Sequence, residues 1–263
     1  MKSTILFRHL VFFLLSLFYL PSIASASNAQ PGIKNLLIKL DKNYYYPQQK
    51  GLTSLNAELL WKQQDTSSEK IKFFNKPDFQ FKGELKNHIY EKEIVPSAKN
   101  LNLSDAKKTE YINILSNYLD AFLPDTLYEK FSNYEGQIKH QQKKSLTIHL
   151  REKTSIKNTT KYKLFVDTEK WRITKIHISQ NQEPRNIEGK FFYTRRGGQW
   201  VVAEATSEYM VNSQTYTEKT EYSYKRANTF WLVNKIKQTI KQDGHLILSY
   251  RLQLNDYKVN FAK

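Results

Sequence analysis

The last third of the chain alternates apolar and polar positions in four long runs rich in Tyr, Val, Ile, Leu, Trp and Thr. Alternation in segments of this composition predicts β-strands. The runs cover residues 199–211, 215–225, 230–241 and 245–261, and a shorter run at 190–195 precedes them. Turn residues separate the runs, and Gly197-Gly198 and Asp243-Gly244 favour tight hairpins because these residues accept φ > 0. The pattern predicts an antiparallel β-meander.

The two faces of this predicted sheet differ in character, since successive side chains of a strand point to opposite sides. In residues 230–240, one face carries Phe230, Leu232 and Ile236, and the other carries Trp231, Val233 and lysines. The apolar set changes parity after Asn255-Asp256, which predicts a β-bulge there. A long sheet with one apolar face has to be covered by a second layer, by helices or by a ligand.

The region before the meander mixes helical and strand patterns. Residues 33–46 place apolar side chains at the 3.6-residue spacing of a helix, and residues 54–64 alternate as a strand. Residues 70–85 resemble a hairpin with a four-residue turn at 75–78. Ser104 is a predicted N-cap for a second helix with a wide apolar stripe, which Pro124 stops or kinks.

Further strands are predicted at residues 144–151, 161–166 and 171–179, with a polar turn at 167–170. No linker rich in Pro, Gly or Ser divides the chain, so residues 27–263 are predicted to form a single domain.

The first 26 residues have the features of an export signal. A short charged leader precedes an apolar run at residues 5–20, and Ala24-Ser25-Ala26 has the small-x-small pattern of a signal-peptidase site. We predict cleavage after Ala26 and a periplasmic mature protein that is at most peripheral to the membrane. The alternative is an uncleaved membrane anchor, although the run is short for a span.

The charge and the cysteine count narrow the classes of function. The chain has no cysteine, which excludes disulfides, thiolate nucleophiles and cysteine-based metal sites. Its net charge of +16 has two interpretations: an anionic envelope partner such as lipid head groups, or a lysine-rich composition without a specific partner. The export signal and the lack of a recognition helix or zinc pattern argue against nucleic acid as a partner.

Catalytic and metal-binding patterns are not evident in the sequence. The histidines lack metal-ligand spacing, and no Gly-x-Ser-x-Gly motif occurs. We predict no catalysis, no metal and no cofactor. A Ser–His–Asp group formed only in three dimensions stays open as a third hypothesis, because the members of such triads are not adjacent in sequence.

The order of elements resembles the LolA/LolB-like periplasmic lipoprotein carriers. The residues that carry the resemblance are the strand–turn–strand unit at 161–179 with its Asp-Thr-Glu-Lys turn, the segment from Gly197 to Val202, and residues 249–260. The resemblance implies an α+β fold: a strongly curved antiparallel β-sheet, an incomplete barrel, with helices covering its concave face. It also implies a cavity for the acyl chains of a lipid or an acylated lipoprotein, and an envelope membrane protein as a further partner.

Large apolar side chains on the inner face and on the predicted helical lid are the candidates for ligand contact. For each of them, a place in a filled core is the competing interpretation. Tyrosines are informative because each buried hydroxyl needs a partner, which ordered water or a head group can supply. The candidates are Leu119, Phe122, Leu123, Tyr216, Tyr222, Tyr224, Phe230, Leu232, Ile236, Leu246, Leu248, Tyr250 and Leu252.

Two principal hypotheses follow. The first is a soluble periplasmic carrier or sensor that binds lipid or lipoprotein acyl chains in an apolar half-barrel cavity. The alternative is a cell-envelope interaction or structural protein with a filled core, whose basic sheet face binds an anionic partner. An apolar cavity of at least ~300 Å³, the lower end for ligand pockets, would favour the first hypothesis.

Overall fold

The computed structural model describes residues 31–67, 70–98, 103–153 and 160–262, so the predicted signal peptide lies outside the described residues. The helical elements are α1 (Pro31–Asp41), a 3₁₀ turn (Pro47–Lys50), α2 (Asp105–Ser116), α3 (Leu119–Phe122) and α4 (Leu127–Lys130). The strands are β1 (Leu52–Gln64), β2 (Phe73–Asn75), β3 (Phe79–Lys86), β4 (Ile89–Pro96), β5 (Tyr134–Gln141), β6 (Ser145–Glu152), β7 (Lys161–Asp167), β8 (Arg172–Ser179), β9 (Asn186–Arg196), β10 (Gln199–Val211), β11 (Gln214–Ala227), β12 (Phe230–Gln242) and β13 (His245–Phe261).

The described strands form one 13-stranded antiparallel sheet, and the sheet is not closed into a barrel. The strand order is β4-β3-β1-β13-β12-β11-β10-β9-β8-β7-β6-β5, with β2 paired to β1. The ends of this order, β4 and β5, are the edges of the sheet. The architecture is the predicted α+β fold, a curved antiparallel sheet with few helices.

The hairpin turns of the meander lie where the sequence predicts them. Gly197 and Gly198 have φ of 56° and 82°, and Asp243 and Gly244 have φ of 48° and 85°. Both pairs match the two-residue turns in which each central residue has positive φ. The predicted bulge is confirmed: the pairing of β1 with β13 shifts register there, and Asp256 has φ of 51°.

The predicted hairpin at residues 70–85 is wrong. β2 and β3 do not pair with each other, because both pair with the same edge of β1 at different heights. The Lys76 amide, between the two strands, donates to the Trp61 carbonyl of β1 at 2.8 Å. β3 forms its hairpin with β4 instead, through Asn87 and His88, which both have positive φ. Apolar spacing within a segment does not identify a partner strand that is distant in sequence.

Helix α1 ends earlier than its apolar spacing predicts. The chain leaves the helix at Asp41 and then runs beside β10, where the Tyr45 amide donates to the Trp200 carbonyl at 2.9 Å. The Trp200 amide donates in turn to the Asn43 carbonyl at 2.8 Å. The predicted N-cap of α2 is confirmed, since the Ser104 hydroxyl accepts from the Lys107 amide.

Asp41 connects α1 to α4. Its carboxylate is 4 % exposed and accepts hydrogen bonds from the Tyr46 hydroxyl at 2.7 Å and from the Leu127 and Tyr128 amides at 2.8 and 2.9 Å. The two amides belong to the first turn of α4, where amides lack partners within a helix. A side chain from α1 therefore fixes the position of α4 relative to α1.

The buried side chains divide into two cores. The first core packs α1 against β5–β8 and includes Ile240 of β12, whereas the second packs α2 and α3 against β1, β3, β12 and β13 and includes Ile236. The two cores meet along the middle strands of the sheet. None of the helices in the described part of the chain has the length and apolar character needed to cross a membrane.

Candidate functional site

A cavity of about 250 Å³ lies between the two cores. One wall is the inner face of the middle strands, and the other is formed by α3, α4 and the segment from Tyr44 to Pro47. We call α3, α4 and the loop that joins them the lid. The lining is mostly apolar. The volume is just below ~300 Å³, the lower end for ligand pockets that would favour the first hypothesis.

Short side chains on β10 and β11 create the space. Ala205 and Ser207 on β10 are paired in register with Thr220 and Glu218 on β11, and all four line the cavity. Toward the first core the same two strands carry a stacked pair of tyrosines, Tyr209 and Tyr216, with ring centroids 5.6 Å apart. The cavity therefore occupies the stretch of the inner face where large side chains are interrupted.

Glu218 is the polar centre of the sheet wall and is 2 % exposed. Its Oε1 accepts a hydrogen bond from the side-chain amide of Gln238, whose own oxygen accepts from the Tyr118 hydroxyl beneath α3. Glu218 Oε2 and the Ser207 hydroxyl have no hydrogen-bond partner among the described residues. Burial raises the pKa of Glu218 to about 8, so the carboxyl is neutral at pH 7.

The lid contributes a cluster of charges held by β4. Lys92 Nζ lies 2.5 Å from Asp120 Oδ1, 3.0 Å from Asp125 Oδ2 and 3.1 Å from the Leu123 carbonyl oxygen. Asp120 and Asp125 line the cavity together with Lys130. Burial raises the pKa of Asp120, and burial lowers the pKa of Lys130 to about 7. The lid is thus attached to an edge strand by ionic contacts.

The tyrosine hydroxyls around the cavity are satisfied by protein groups. Tyr44 accepts from the Ile173 amide at 2.7 Å, and Tyr193 donates to the Ile173 carbonyl at 2.6 Å. Tyr224 donates to the Val202 carbonyl at 2.8 Å. Backbone groups therefore supply these partners, without the ordered water or head groups that could also have done so.

The structure places three of the predicted ligand residues on the cavity wall: Phe122 of the lid, and Tyr222 and Tyr224 of β11. Tyr216 lies in the first core, and Leu246 is half-buried outside both cores. Leu248 is partly buried and packs against both cores. The others are buried in the second core, namely Leu119, Leu123, Phe230, Leu232, Ile236, Tyr250 and Leu252.

A bulge explains part of this distribution. Ser223 pairs with Lys235 but Tyr224 pairs with Val233, which leaves Asn234 as an extra residue in β12. A single extra residue reverses the faces of the strand beyond it. Val233 and Trp231 consequently line the cavity, and Val233 is also buried in the second core together with Leu232 and Phe230. The predicted assignment of Trp231 and Val233 to the polar face is wrong for this reason.

Sequence reasoning missed Glu218, Ser207, Thr220 and Ala205. A signal was present, because Glu218 occupies an inner-face position of a strand that otherwise places tyrosines and Thr220 there. The described cavity lining contains no histidine, so Ser207 and Glu218 do not belong to a Ser–His–acid triad in this wall. Within the described ranges, no three His, Asp or Glu side chains come together as a metal site.

No family model and no curated protein matches the chain. An outer membrane lipoprotein-sorting protein domain from Vibrio parahaemolyticus aligns with a TM-score of 0.37 and 8 % identity, over 86 % of this chain and 91 % of that one.

Two further solved structures give similar values. A LolA superfamily protein from Nitrosomonas europaea aligns with a TM-score of 0.35 and 9 % identity, over 88 % of this chain and 94 % of that one. A DUF1329 family protein from Desulfovibrio piger aligns with a TM-score of 0.32 and 6 % identity, over 86 % and 90 %. The first two are proteins of the kind that the sequence resembles. All three TM-scores are below 0.5, so the function proposed below depends on this chain's own residues.

Proposed function

We propose that this protein is exported to the periplasm and binds the acyl chain of a lipid or of a lipoprotein in the cavity beneath the lid. It acts as a carrier or sensor and not as a catalyst. The observation that supports this function is the mostly apolar cavity of about 250 Å³ between the sheet and the lid. Burying a hydrocarbon chain there removes apolar surface from water at roughly 25 cal/mol per Å².

The lid provides a route for entry. Helices α3 and α4 have four residues each, and they lie on the sheet without being part of its strand ladder. Displacing them breaks ionic and capping contacts but leaves the hydrogen bonds between strands intact. An acyl chain longer than the resting cavity is therefore accommodated by movement of the lid.

The alternative function, an anionic partner on the outer face, lacks comparable support. Lysines of that face are paired with glutamates on neighbouring strands. Lys175 Nζ lies 2.6 Å from Glu188, Lys219 Nζ lies 2.8 Å from Glu204, and Lys237 Nζ lies 3.0 Å from Glu221. These contacts neutralise part of the positive charge that the composition suggests.

A cavity-filling substitution tests the proposed function. Trp200 and Trp231 line the cavity, so bromine-labelled dodecanoate bound there should quench tryptophan fluorescence in a saturable titration. Ala205→Phe places a ring in the space beside Thr220 and should weaken binding at least tenfold. Because the ring enters an existing void, the melting temperature should change little.

Thr217→Phe is the matched control, since Thr217 is exposed on the neighbouring strand. It should bind the labelled chain as the unmodified protein does. Equal affinity in Ala205→Phe and Thr217→Phe would show that the acyl chain binds elsewhere, and absence of saturable quenching in the unmodified protein would refute acyl-chain binding.

A further inference from the structure

The cavity wall contains a polar group that acyl-chain burial alone does not explain. Glu218 is buried among tyrosines, and one of its two carboxyl oxygens has no hydrogen-bond partner in the described part of the chain. The hydroxyl of Ser207, opposite Glu218 in the register of β10 and β11, is also unpartnered there. Buried polar groups are normally hydrogen-bonded, and an exception requires an explanation.

Hydrogen bonds within the protein satisfy only one of the two carboxyl oxygens of Glu218. Oε1 accepts from Gln238, and Gln238 accepts from Tyr118, so this side of the group is fixed in place. Thr220 bonds with Tyr222 on the same strand. Glu218 and Ser207 line the mostly apolar cavity, and their unpartnered oxygens lie covered just behind its surface, where a ligand reaches them by rotation of the side chains. The hydroxyl of Tyr209, near Glu218, is likewise without a hydrogen-bond partner among the described residues.

The protonation of this pair decides what it binds. A neutral carboxyl and a serine hydroxyl are both hydrogen-bond donors. Two donors at one place in an apolar cavity match an acceptor oxygen attached to a hydrocarbon chain. The carbonyl oxygen at the head of an acyl chain is such an acceptor, with two lone pairs.

We propose that Glu218 and Ser207 form a carbonyl-binding subsite, which holds the ester, amide or carboxyl oxygen of an acyl chain while the hydrocarbon lies along the apolar wall. The inference rests on the proposed function and adds a head-group preference to it. It also gives the ligand a fixed orientation, with its carbonyl at β10 and β11 and its hydrocarbon among the aromatic residues of the wall.

The test compares three probes of equal chain length: dodecane, the methyl ester of dodecanoic acid, and dodecanoic acid itself. Each displaces bromine-labelled dodecanoate from the full mature protein at pH 7. We expect the ester and the acid to bind roughly tenfold more tightly than dodecane, the gain that one or two net hydrogen bonds supply. Tighter binding of the ester than of the acid would indicate a lipid or lipoprotein as the source of the carbonyl, and the reverse order would indicate a free fatty acid.

Two variants assign the preference to Glu218. Glu218→Met keeps the side-chain length without the donor, so the ester should lose at least half of its roughly tenfold advantage on a logarithmic scale while dodecane binds as before. Glu218→Gln retains a donor amide and should keep the advantage. Ser207→Ala should reduce the advantage by about half on a logarithmic scale. Glu208→Met, at the exposed neighbouring position, is the matched control.

A pH titration gives a second readout that a purely structural role would not change. Glu218 has a pKa of about 8, and its ionised form cannot donate, so ester affinity should fall between pH 7 and 9. The groups near Glu218 are Tyr118, Tyr209 and Tyr222, whose pKa values are raised and which stay neutral over this range.

Besides Glu218 and the tyrosines, the titratable groups of the described cavity lining are Asp120, Asp125 and Lys130 of the lid. Lys130, with a pKa of about 7, also changes charge near this range. Glu218→Gln retains all of these groups. In this variant, ester affinity should therefore fall between pH 7 and 9 only by the amount that the other groups cause.

The outcomes separate the two proposals. Binding of all three probes with equal affinity, or an ester advantage that is undiminished in Glu218→Met, would overturn the carbonyl subsite while leaving acyl-chain binding in place. Failure of all three probes to bind would overturn the proposed function and the subsite with it.

Discussion

Replacing Glu218 with Gln should stabilise the free protein by roughly 4 kcal/mol at pH 8 and by only about 1 kcal/mol at pH 5. The pKa of Glu218 rises from its ordinary value of 4.5 to about 8 in the folded chain because the carboxyl is buried. One pKa unit corresponds to about 1.4 kcal/mol of difference between the two protonation states. Urea unfolding of both proteins across this pH range measures the effect.

The direction of this pH dependence follows from proton binding by Glu218. Between pH 4.5 and about 8 the folded chain holds a proton on Glu218 that the unfolded chain releases, so the free energy of unfolding falls as pH rises through this window. The amide introduced by Glu218→Gln has no proton to release and keeps an oxygen for the Gln238 amide. Glu208→Gln, at an exposed position of the next strand, should change stability by less than about 0.5 kcal/mol at either pH. A Glu218→Gln effect that does not grow with pH would show that Glu218 is ionised in the folded state.

The loss of stability caused by the buried Glu218 carboxyl is relevant to the function of the cavity. A glutamine at position 218 would make a more stable sheet, because burial of an acid at neutral pH lowers the free energy of unfolding. Proteins often keep such destabilising groups at binding sites. The destabilisation is consistent with a carboxyl retained for a ligand.

Replacing Lys92 with Met should destabilise the protein by about 3–5 kcal/mol at pH 7. The side chains of Lys92, Asp120 and Asp125 are 9 %, 11 % and 21 % exposed, and the ammonium contacts both carboxylates and the Leu123 carbonyl. Removing one partner of a buried ion pair leaves the other charges without compensation. The loss should be smaller at pH 4, where the released carboxylates take up protons. Urea unfolding at the two pH values measures both quantities.

Lys82 supplies the control for this prediction. It lies on the same β3–β4 hairpin and pairs with Glu93 at 3.1 Å, but the two side chains are 45 % and 59 % exposed. Exposed ion pairs contribute about 0–1 kcal/mol. Lys82→Met should therefore be close to neutral. Equal losses in the two variants would mean that the lid cluster is solvated and does not hold α3 to β4.

The strands of the meander and their turns were predictable because the signals are local. Gly197-Gly198 and Asp243-Gly244 specify tight hairpins by their conformational freedom, and the parity change after Asp256 marks a bulge within a single strand. The cap at Ser104 is likewise a property of a few adjacent residues. Each of these features depends on residues within one turn or one strand.

The cavity was not predictable, because it depends on register between strands. Ala205 and Ser207 leave space only because they pair with Thr220 and Glu218, and no single strand reveals that pairing. The bulge at Asn234 transfers Val233 to the cavity wall without a Gly or a parity signal comparable with the one at Asp256. The Lys92 cluster joins residues about 30 positions apart in the chain.

The division of the interior into two cores also determines how the protein responds to compression. Hydrostatic pressure favours the state of smaller volume, and unfolding eliminates internal voids. A cavity of about 250 Å³ at the junction of the cores therefore makes that junction a compressible part of the interior. A group that fills the void, either the ring of Ala205→Phe or a bound acyl chain, stiffens the contact between the two halves of the sheet. It therefore opposes unfolding under pressure.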